Sequence, residues 1–76
     1  MEIRVACSRD PHGEEIPSQL SFDNRTLGVR DVLDRWLAPD HRYFKVKGED
    51  GATYILRHDV VSNTWALVLY ARQGMR

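Results

Sequence analysis

The triplet Arg57-His58-Asp59 is the most enzyme-like group of side chains in the sequence. A histidine beside a carboxylate is a common source of general acid or base chemistry near neutral pH. The triplet ends a predicted strand, however, and neighbours on a strand point to opposite faces, so His58 and Asp59 do not form a catalytic pair by adjacency. We expect Asp59 to bond the backbone of the following turn instead. No catalytic residue is therefore predicted, and whether the protein is an enzyme stays open.

Cys7, His12 and His41 are the candidate metal ligands. Structural zinc sites use four ligands, commonly in short-spaced pairs, whereas these three residues are widely and irregularly spaced. Cys7 is the only cysteine, and we interpret it as a buried, inert thiol. Gly48 and Gly51 lie in a predicted hairpin and not between a strand and a helix, so they form no phosphate loop. The sequence predicts neither a metal nor a cofactor.

Tyr43, Lys45, Lys47 and Arg57 form the one group with a binding mechanism. They occupy alternate positions on two neighbouring predicted strands and therefore share one face of a sheet, together with Ile55. Basic side chains on such a face track phosphates while an aromatic ring stacks on a base. These four residues are our candidates for binding single-stranded nucleic acid. The alternative is that a helix or the first strand covers the face and that the lysine stems only pack along it.

The composition describes one small globular domain, to which we assign residues 1–76. Of the 76 residues, 42% are hydrophobic and 29% are charged, which excludes a disordered chain. No apolar run reaches the roughly 20 residues of a membrane helix, and no signal-peptide pattern is present, so we expect a cytoplasmic location and no membrane partner.

The zero net charge hides an asymmetry between the two halves of the chain. Residues 1–41 hold five Lys or Arg and eight Asp or Glu, a net of −3, and residues 42–76 hold six and three, a net of +3. A basic half attracts anions, although two regions that neutralise each other within one domain explain the same counts.

A three-stranded antiparallel meander is predicted for the C-terminal half. Three runs rich in β-branched and aromatic residues are separated by turn-forming segments. The runs span residues 43–47, 53–57 and 64–70.

The loop at residues 49–51 sets the register of the first two of these strands. We predict a three-residue hairpin loop with Gly51 in the left-handed conformation. The pairs predicted from it are Val46 with Tyr54 and Phe44 with Leu56. A two-residue turn would shift the register by one and bring Lys45 and Lys47 onto the buried face. The predicted core positions are Phe44, Val46, Tyr54, Leu56, Trp65, Leu67 and Leu69.

Two strands and a loop are predicted for the N-terminal part. Residues 2–7 alternate polar and apolar side chains, which predicts a strand that buries Ile3, Val5 and Cys7. Residues 8–17 contain two prolines and a glycine among polar residues, and we predict a loop there. Residues 19–22 are a candidate second strand, closed by a turn at Asp23-Asn24.

Residues 29–37 allow two interpretations. Their apolar residues follow the stripe of an amphipathic helix, with Thr26 as a cap and Pro39 as the stop. The stripe consists of Val29, Val32, Leu33, Trp36 and Leu37. A bent strand running into Trp36 is the alternative, and it would make the protein a five-stranded small barrel. We favour the helix.

The predicted fold class is therefore α+β and β-dominated. It is a small antiparallel meander of four to five strands with one short helix, which packs through Val32, Leu33 and Trp36 onto Trp65 and Leu67. The alternative is an all-β, SH3-like small barrel.

Three sequence patterns between residues 18 and 71 carry a resemblance to a known family. The patterns are Arg25-x-Leu27-x-Val29-x-x-Val32-Leu33-Asp34-Arg35-Trp36, Tyr43-Phe44-x-Val46-x-x-x-Asp50-Gly51-x-x-Tyr54-x-Leu56-x-x-Asp59, and Trp65-x-Leu67. Together they resemble a small bacterial domain family of unknown function, which occurs as stand-alone proteins and at the C-terminus of catalytically inactive relatives of Y-family DNA polymerases. The resemblance implies the architecture and no catalytic residue, and its DNA-repair setting favours nucleic-acid or protein binding.

Three functional hypotheses follow from the sequence. We favour a protein-binding or adaptor module, because a small antiparallel sheet keeps an edge strand that accepts another chain. The alternative is weak binding of single-stranded nucleic acid through Tyr43, Lys45, Lys47 and Arg57. A small enzyme is less favoured and would require a concave pocket with a perturbed titratable group. The identity of the partner and the oligomeric state do not follow from the sequence.

Overall fold

Six antiparallel strands close into a barrel in the computed structural model, which describes residues 2–71 apart from the side chains of residues 69–71. The strands are β1 (Glu2–Arg9), β2 (Glu15–Phe22), β3 (Arg25–Leu37), β4 (His41–Gly48), β5 (Thr53–Asp59) and β6 (Thr64–Ala71). Each strand pairs with the next one along the chain, and β6 returns to β1. None of the described residues is helical, and thus none of them belongs to a helix able to cross a membrane.

The barrel interior holds one apolar core to which every strand contributes. Its buried members are Ile3, Leu20, Leu27, Phe44, Val46, Ala52, Tyr54, Leu56 and Trp65. Val5 and Cys7 are half-buried and pack against this core, so the predicted inner face of the first strand is confirmed. Leu67 also packs against the core, as predicted. The predicted core position of Leu69 lies outside the described side chains.

The β4–β5 hairpin has the predicted register. The opposed pairs include Val46 with Tyr54 and Phe44 with Leu56. Gly51 has a φ of +85°, the left-handed conformation that the three-residue loop requires. The Asp50 carboxylate accepts hydrogen bonds from the Ala52 backbone N–H at 3.0 Å and from the Tyr54 hydroxyl at 2.7 Å. The loop is thereby tied to a buried core ring.

The predicted loop at residues 8–17 is too long, because half of this segment belongs to strands. β1 extends to Arg9 and β2 begins at Glu15, so only residues 10–14 form the turn. The Asp10 carboxylate accepts hydrogen bonds from the backbone N–H groups of His12 and Glu14, each at 2.9 Å. Proline does not exclude Pro17 from a strand here, since it sits at a bulge where β2 has one extra residue, Ser18.

The predicted helix at residues 29–37 is also wrong, because these residues are the second half of strand β3. Two β-bulges insert one extra residue each, Arg30 and Leu33, relative to β4. The positions opposite the inward-facing residues of β4 are therefore three residues apart on β3 instead of two. They are Val29, Val32 and Arg35, opposite Gly48, Val46 and Phe44. The bulges thus produce a spacing close to that of a helix.

The fold class must be corrected accordingly. The α+β prediction, with four to five strands and a helix packed on Trp65 and Leu67, is wrong. Leu33 and Trp36 are 46% and 43% exposed and do not enter the core. The all-β, SH3-like small-barrel alternative fits the structure, with six strands instead of five. The predicted meander is correct in its local pairing, but it forms part of a closed barrel.

The two tryptophans allow a matched test of this core. Trp65 is 8% exposed and contacts the rings of Phe44 and His58, whereas Trp36 is 43% exposed. We expect Trp65→Ala to lower the free energy of unfolding by about 3–5 kcal/mol, the usual cost of truncating a large core aromatic. Trp36→Ala should cost about 1 kcal/mol, because it removes one exposed stacking contact.

Urea denaturation followed by circular dichroism measures both variants. Equal losses of stability in the two would contradict the inward position of Trp65.

Candidate functional site

The outer face of β3, β4 and β5 brings the four predicted nucleic-acid-binding residues together. Tyr43 lies directly opposite Arg57, and Lys45 and Lys47 follow at alternate positions of β4. Lys45 and Arg57 are exposed, while Tyr43 and Lys47 are half-buried. No described helix covers this face, because the predicted helix is a strand of the same sheet.

Trp36 belongs to this outer face as well, which the sequence analysis missed. It lies opposite Tyr43, and the two rings stack with their centroids 5.7 Å apart and their planes 10° from parallel. The short connection between β3 and β4 is the signal that could have found Trp36. If residues 29–37 are a strand, this connection makes a hairpin that places Trp36 beside Tyr43. The face therefore has a two-ring aromatic platform next to Arg57.

Two acidic residues reduce the positive charge of the outer face. Asp34 lies directly opposite Lys45, and Asp31 lies directly opposite Lys47. Opposite charges at facing positions of neighbouring strands attract each other, which lowers the positive potential of the face. Lys45 and Lys47 are therefore partly neutralised, and Arg57 is the cation of the face that has no acidic residue opposite it on β4 or β6.

A cleft separates β2 from the second half of β3. β2 pairs with β3 only from Arg25 to Gly28, so among the described residues 2–71 no strand lies beside residues 29–37 of β3 on the side away from β4. The cleft encloses about 350 Å³, and its apolar lining consists of Ile16, Val32 and Leu33. We call it the β2–β3 cleft. It exposes the backbone edge of a strand beside apolar side chains.

Arg35 bridges the outer end of this cleft. Its guanidinium contacts the Asp10 carboxylate at 3.3 Å and the Glu14 carboxylate at 2.7 Å, both in the β1–β2 turn. The Arg35 side chain is 39% exposed, so these ion pairs are worth little to stability. They hold the β1–β2 turn near β3 without sealing the cleft.

His58 has a structural role in the barrel. It is buried, and its ring stacks on Trp65 with centroids 4.3 Å apart. An Arg42 guanidinium nitrogen lies 2.9 Å from His58 Nδ1, and Asn63 Oδ1 lies 2.9 Å from Nε2. Because arginine only donates, Nδ1 accepts and Nε2 carries the proton. Both ring nitrogens are thus engaged, and the ring is not presented as a general base.

Three aspartates accept hydrogen bonds that stabilise turns. Asp59 accepts hydrogen bonds from the backbone N–H groups of Ser62 and Val61, which lower its pKa and confirm the predicted turn role. The backbone N–H of Glu14 is the main cause of the lowered pKa of Asp10. Burial opposes ionisation of Asp50, but its hydrogen bonds outweigh this effect and leave its pKa below the ordinary value.

The candidate metal ligands do not meet. Cys7 is half-buried on β1, His12 lies in the β1–β2 turn, and His41 begins β4, where it bonds Asp40 at 2.8 Å. Within residues 2–71 no three His, Cys, Asp or Glu side chains are placed to hold a metal ion.

Cys7 lines a second cavity, of about 480 Å³, between β1 and β6. The cavity exists because these strands pair only at Glu2 with Ala66 and Ile3 with Trp65. Burial, followed by the Glu15 carboxylate, raises the pKa of the thiol. Cys7 therefore lacks the depressed pKa of a reactive cysteine.

Comparison of the chain with protein-family models, with curated proteins and with solved structures found no match. The resemblance to the small bacterial domain family therefore stays a prediction that rests on the sequence patterns alone.

The state of Cys7 is open to a direct measurement. We expect labelling by a thiol reagent near pH 8 to be much slower in the native protein than in urea, because the thiol is half-buried and its raised pKa leaves little thiolate. The denatured protein at the same pH is the control. Equal labelling rates in the two states would mean that Cys7 does not face the core.

Proposed function

We propose that this protein is a protein-binding or adaptor module that accepts an extended segment of a partner along the free edge of β3. The observation that supports this most directly is the pairing of β3: within the described part of the chain, its residues 29–37 have a neighbouring strand on one side only. An unpaired edge offers backbone donors and acceptors in a row, and an added strand satisfies them.

The β2–β3 cleft supplies the apolar contacts that such an addition needs. Leu33 is 46% exposed beside Val32 and Ile16, which are only partly buried. At about 3.3 Å per residue, the unpaired part of β3 is on the order of 25 Å long, which suits a segment of six to eight residues. Backbone bonds would provide affinity and the cleft would provide selectivity.

The same proposal accounts for exposed apolar side chains on β3. Trp36 and Leu37 are 43% and 75% exposed on the strand whose edge is unpaired. Exposed apolar residues that cluster beside an open edge mark interaction sites more often than single scattered ones do. A cytoplasmic setting is part of the proposal, because the chain has one cysteine and no internal disulfide.

Selection from a displayed library of random peptides tests the proposal. We expect selected peptides to bind in an extended form and to slow hydrogen exchange of amides between Arg30 and Asp34. Leu33→Ala should weaken binding about tenfold, because a leucine truncated in a contact loses on the order of 1–2 kcal/mol.

Val68→Ala is the matched control. Val68 is also the extra residue of a bulge and is also exposed, at 53%, but it lies on β6. Peptides that protect β6 or the outer face instead of β3 would contradict the proposal. So would a stable dimer in sedimentation whose edge amides are already protected, because the occupant would then be a second copy.

Binding of single-stranded nucleic acid on the outer face is the second candidate function. It is favoured by one observation, the stacked Trp36–Tyr43 pair beside Arg57, which offers an exposed ring to a base. Asp31 and Asp34 weigh against it, because they offset Lys47 and Lys45 and leave a small net charge for phosphates. We therefore rank it second.

Titration of a labelled oligonucleotide at several salt concentrations tests this candidate. Contact with about three phosphates predicts a log–log salt slope near −2, from about 0.7 per phosphate on single strands. Lys45→Ala/Lys47→Ala should make the slope shallower, and Arg4→Ala/Arg9→Ala on β1, which removes the same charge elsewhere, should not. A slope that both double variants share would remove the outer face from consideration.

A further inference from the structure

The charges beside the free edge of β3 bear on which side chains a bound partner segment would carry. Asp31 and Asp34 point to the outer side of the sheet, because they lie opposite the outward-facing Lys47 and Lys45. Val32 lies between them in sequence and points inward, opposite the buried Val46. A strand added on the other side of β3 meets acidic neighbours at Asp31 and Asp34, with the apolar Val32 and Leu33 between them.

Strand β4 shows what such a neighbour looks like. Its run Lys45-Val46-Lys47 places two cations and one apolar residue against Asp34, Val32 and Asp31. In a sheet, each residue of a central strand has a neighbour on both sides, so the acidic positions can attract a second pair of cations across the free edge. The inward position of an added strand would fall between Val32 and Ile16, in the apolar part of the β2–β3 cleft.

We propose that the segment bound at β3 alternates basic and apolar residues, with lysine or arginine beside Asp31 and Asp34 and an aliphatic residue beside Val32. This rests on the proposed function and names the chemistry of its partner. The edge also carries two cations, and both are engaged: Arg30 donates to the Glu49 carbonyl oxygen, and Arg35 pairs with Asp10 and Glu14. An acidic segment would still meet like charges at Asp31 and Asp34.

Location on the outer face predicts the opposite preference. Asp31 and Asp34 offset Lys47 and Lys45 on that face, and Arg57 leaves a small net positive charge, which disfavours a basic segment. The preference for charge and the mapped position of the peptide therefore give independent information.

Three blocked heptapeptides provide the test. They have the sequences Thr-Lys-Val-Lys-Val-Lys-Thr, Thr-Ser-Val-Ser-Val-Ser-Thr and Thr-Glu-Val-Glu-Val-Glu-Thr, and amide chemical shifts of the protein report their binding. We expect the lysine peptide to bind most tightly, the serine peptide less and the glutamate peptide least. The lysine preference should shrink as salt rises, because exposed charges are screened.

Asp31→Asn/Asp34→Asn tests the residues responsible. These substitutions keep the shape and the side-chain acceptor that Asp34 offers to the Arg35 backbone N–H. We expect the double variant to bind the lysine peptide about tenfold more weakly, roughly threefold for each exposed charge pair lost, and the serine peptide with unchanged affinity. Asp23→Asn/Asp40→Asn changes two exposed aspartates in turns and should leave all three affinities unchanged.

The outcomes distinguish failure of the basic–apolar assignment from failure of strand addition at β3. Equal binding of the lysine and serine peptides at β3, or tighter binding of the glutamate peptide, would overturn the basic–apolar assignment and leave strand addition intact. Failure of all three peptides to shift the β3 amides, together with an unsuccessful library selection, would overturn both.

Discussion

Two inserted residues in β3, Arg30 and Leu33, form the bulges in the strand on which the proposed site depends. A bulge lets a strand bend while its pairing continues. The 13-residue strand β3 pairs with β2 over residues 25–28 and with β4 over residues 29–37. Because the inward positions are restored after each bulge, Val32 still meets Val46 in the core. Beyond Gly28, no described strand pairs with the other edge of β3, and the β2–β3 cleft lies beside that edge. The site that we propose lies along this bulged half of β3.

The same bend explains how two different surfaces share one strand. Side chains that point outward, Asp31, Asp34 and Trp36, meet Lys47, Lys45 and Tyr43 and form the outer face. The edge itself carries the backbone groups and the exposed Leu33. In our proposal charge favours the edge over the outer face, because the lysines of the outer face are already opposed by aspartates, whereas those aspartates can take a second neighbour at the edge.

Features dictated by local chemistry were predictable, and features dictated by bulges were not. Gly51 requires a left-handed loop, and that loop alone sets the β4–β5 register and the core position of Tyr54. The Asp23-Asn24 turn was likewise evident, and both residues have positive φ. In β3 a spacing of three between inward residues imitates a helix, and no single-residue signal marks the bulges. The candidate face was predicted without Trp36, since its place depends on β3 being a strand.

Backbone chemical shifts and interstrand contacts along β3 test the central claim most directly. We predict β-type shifts from Arg25 to Leu37, nuclear Overhauser effects that join Val32 to Val46, and no backbone-to-backbone effects from residues 30–34 to β2. Helical shifts at residues 29–37 would contradict the bulged strand. Continuous contacts between β2 and the second half of β3 would show that the edge is already paired, and would remove the proposed binding site.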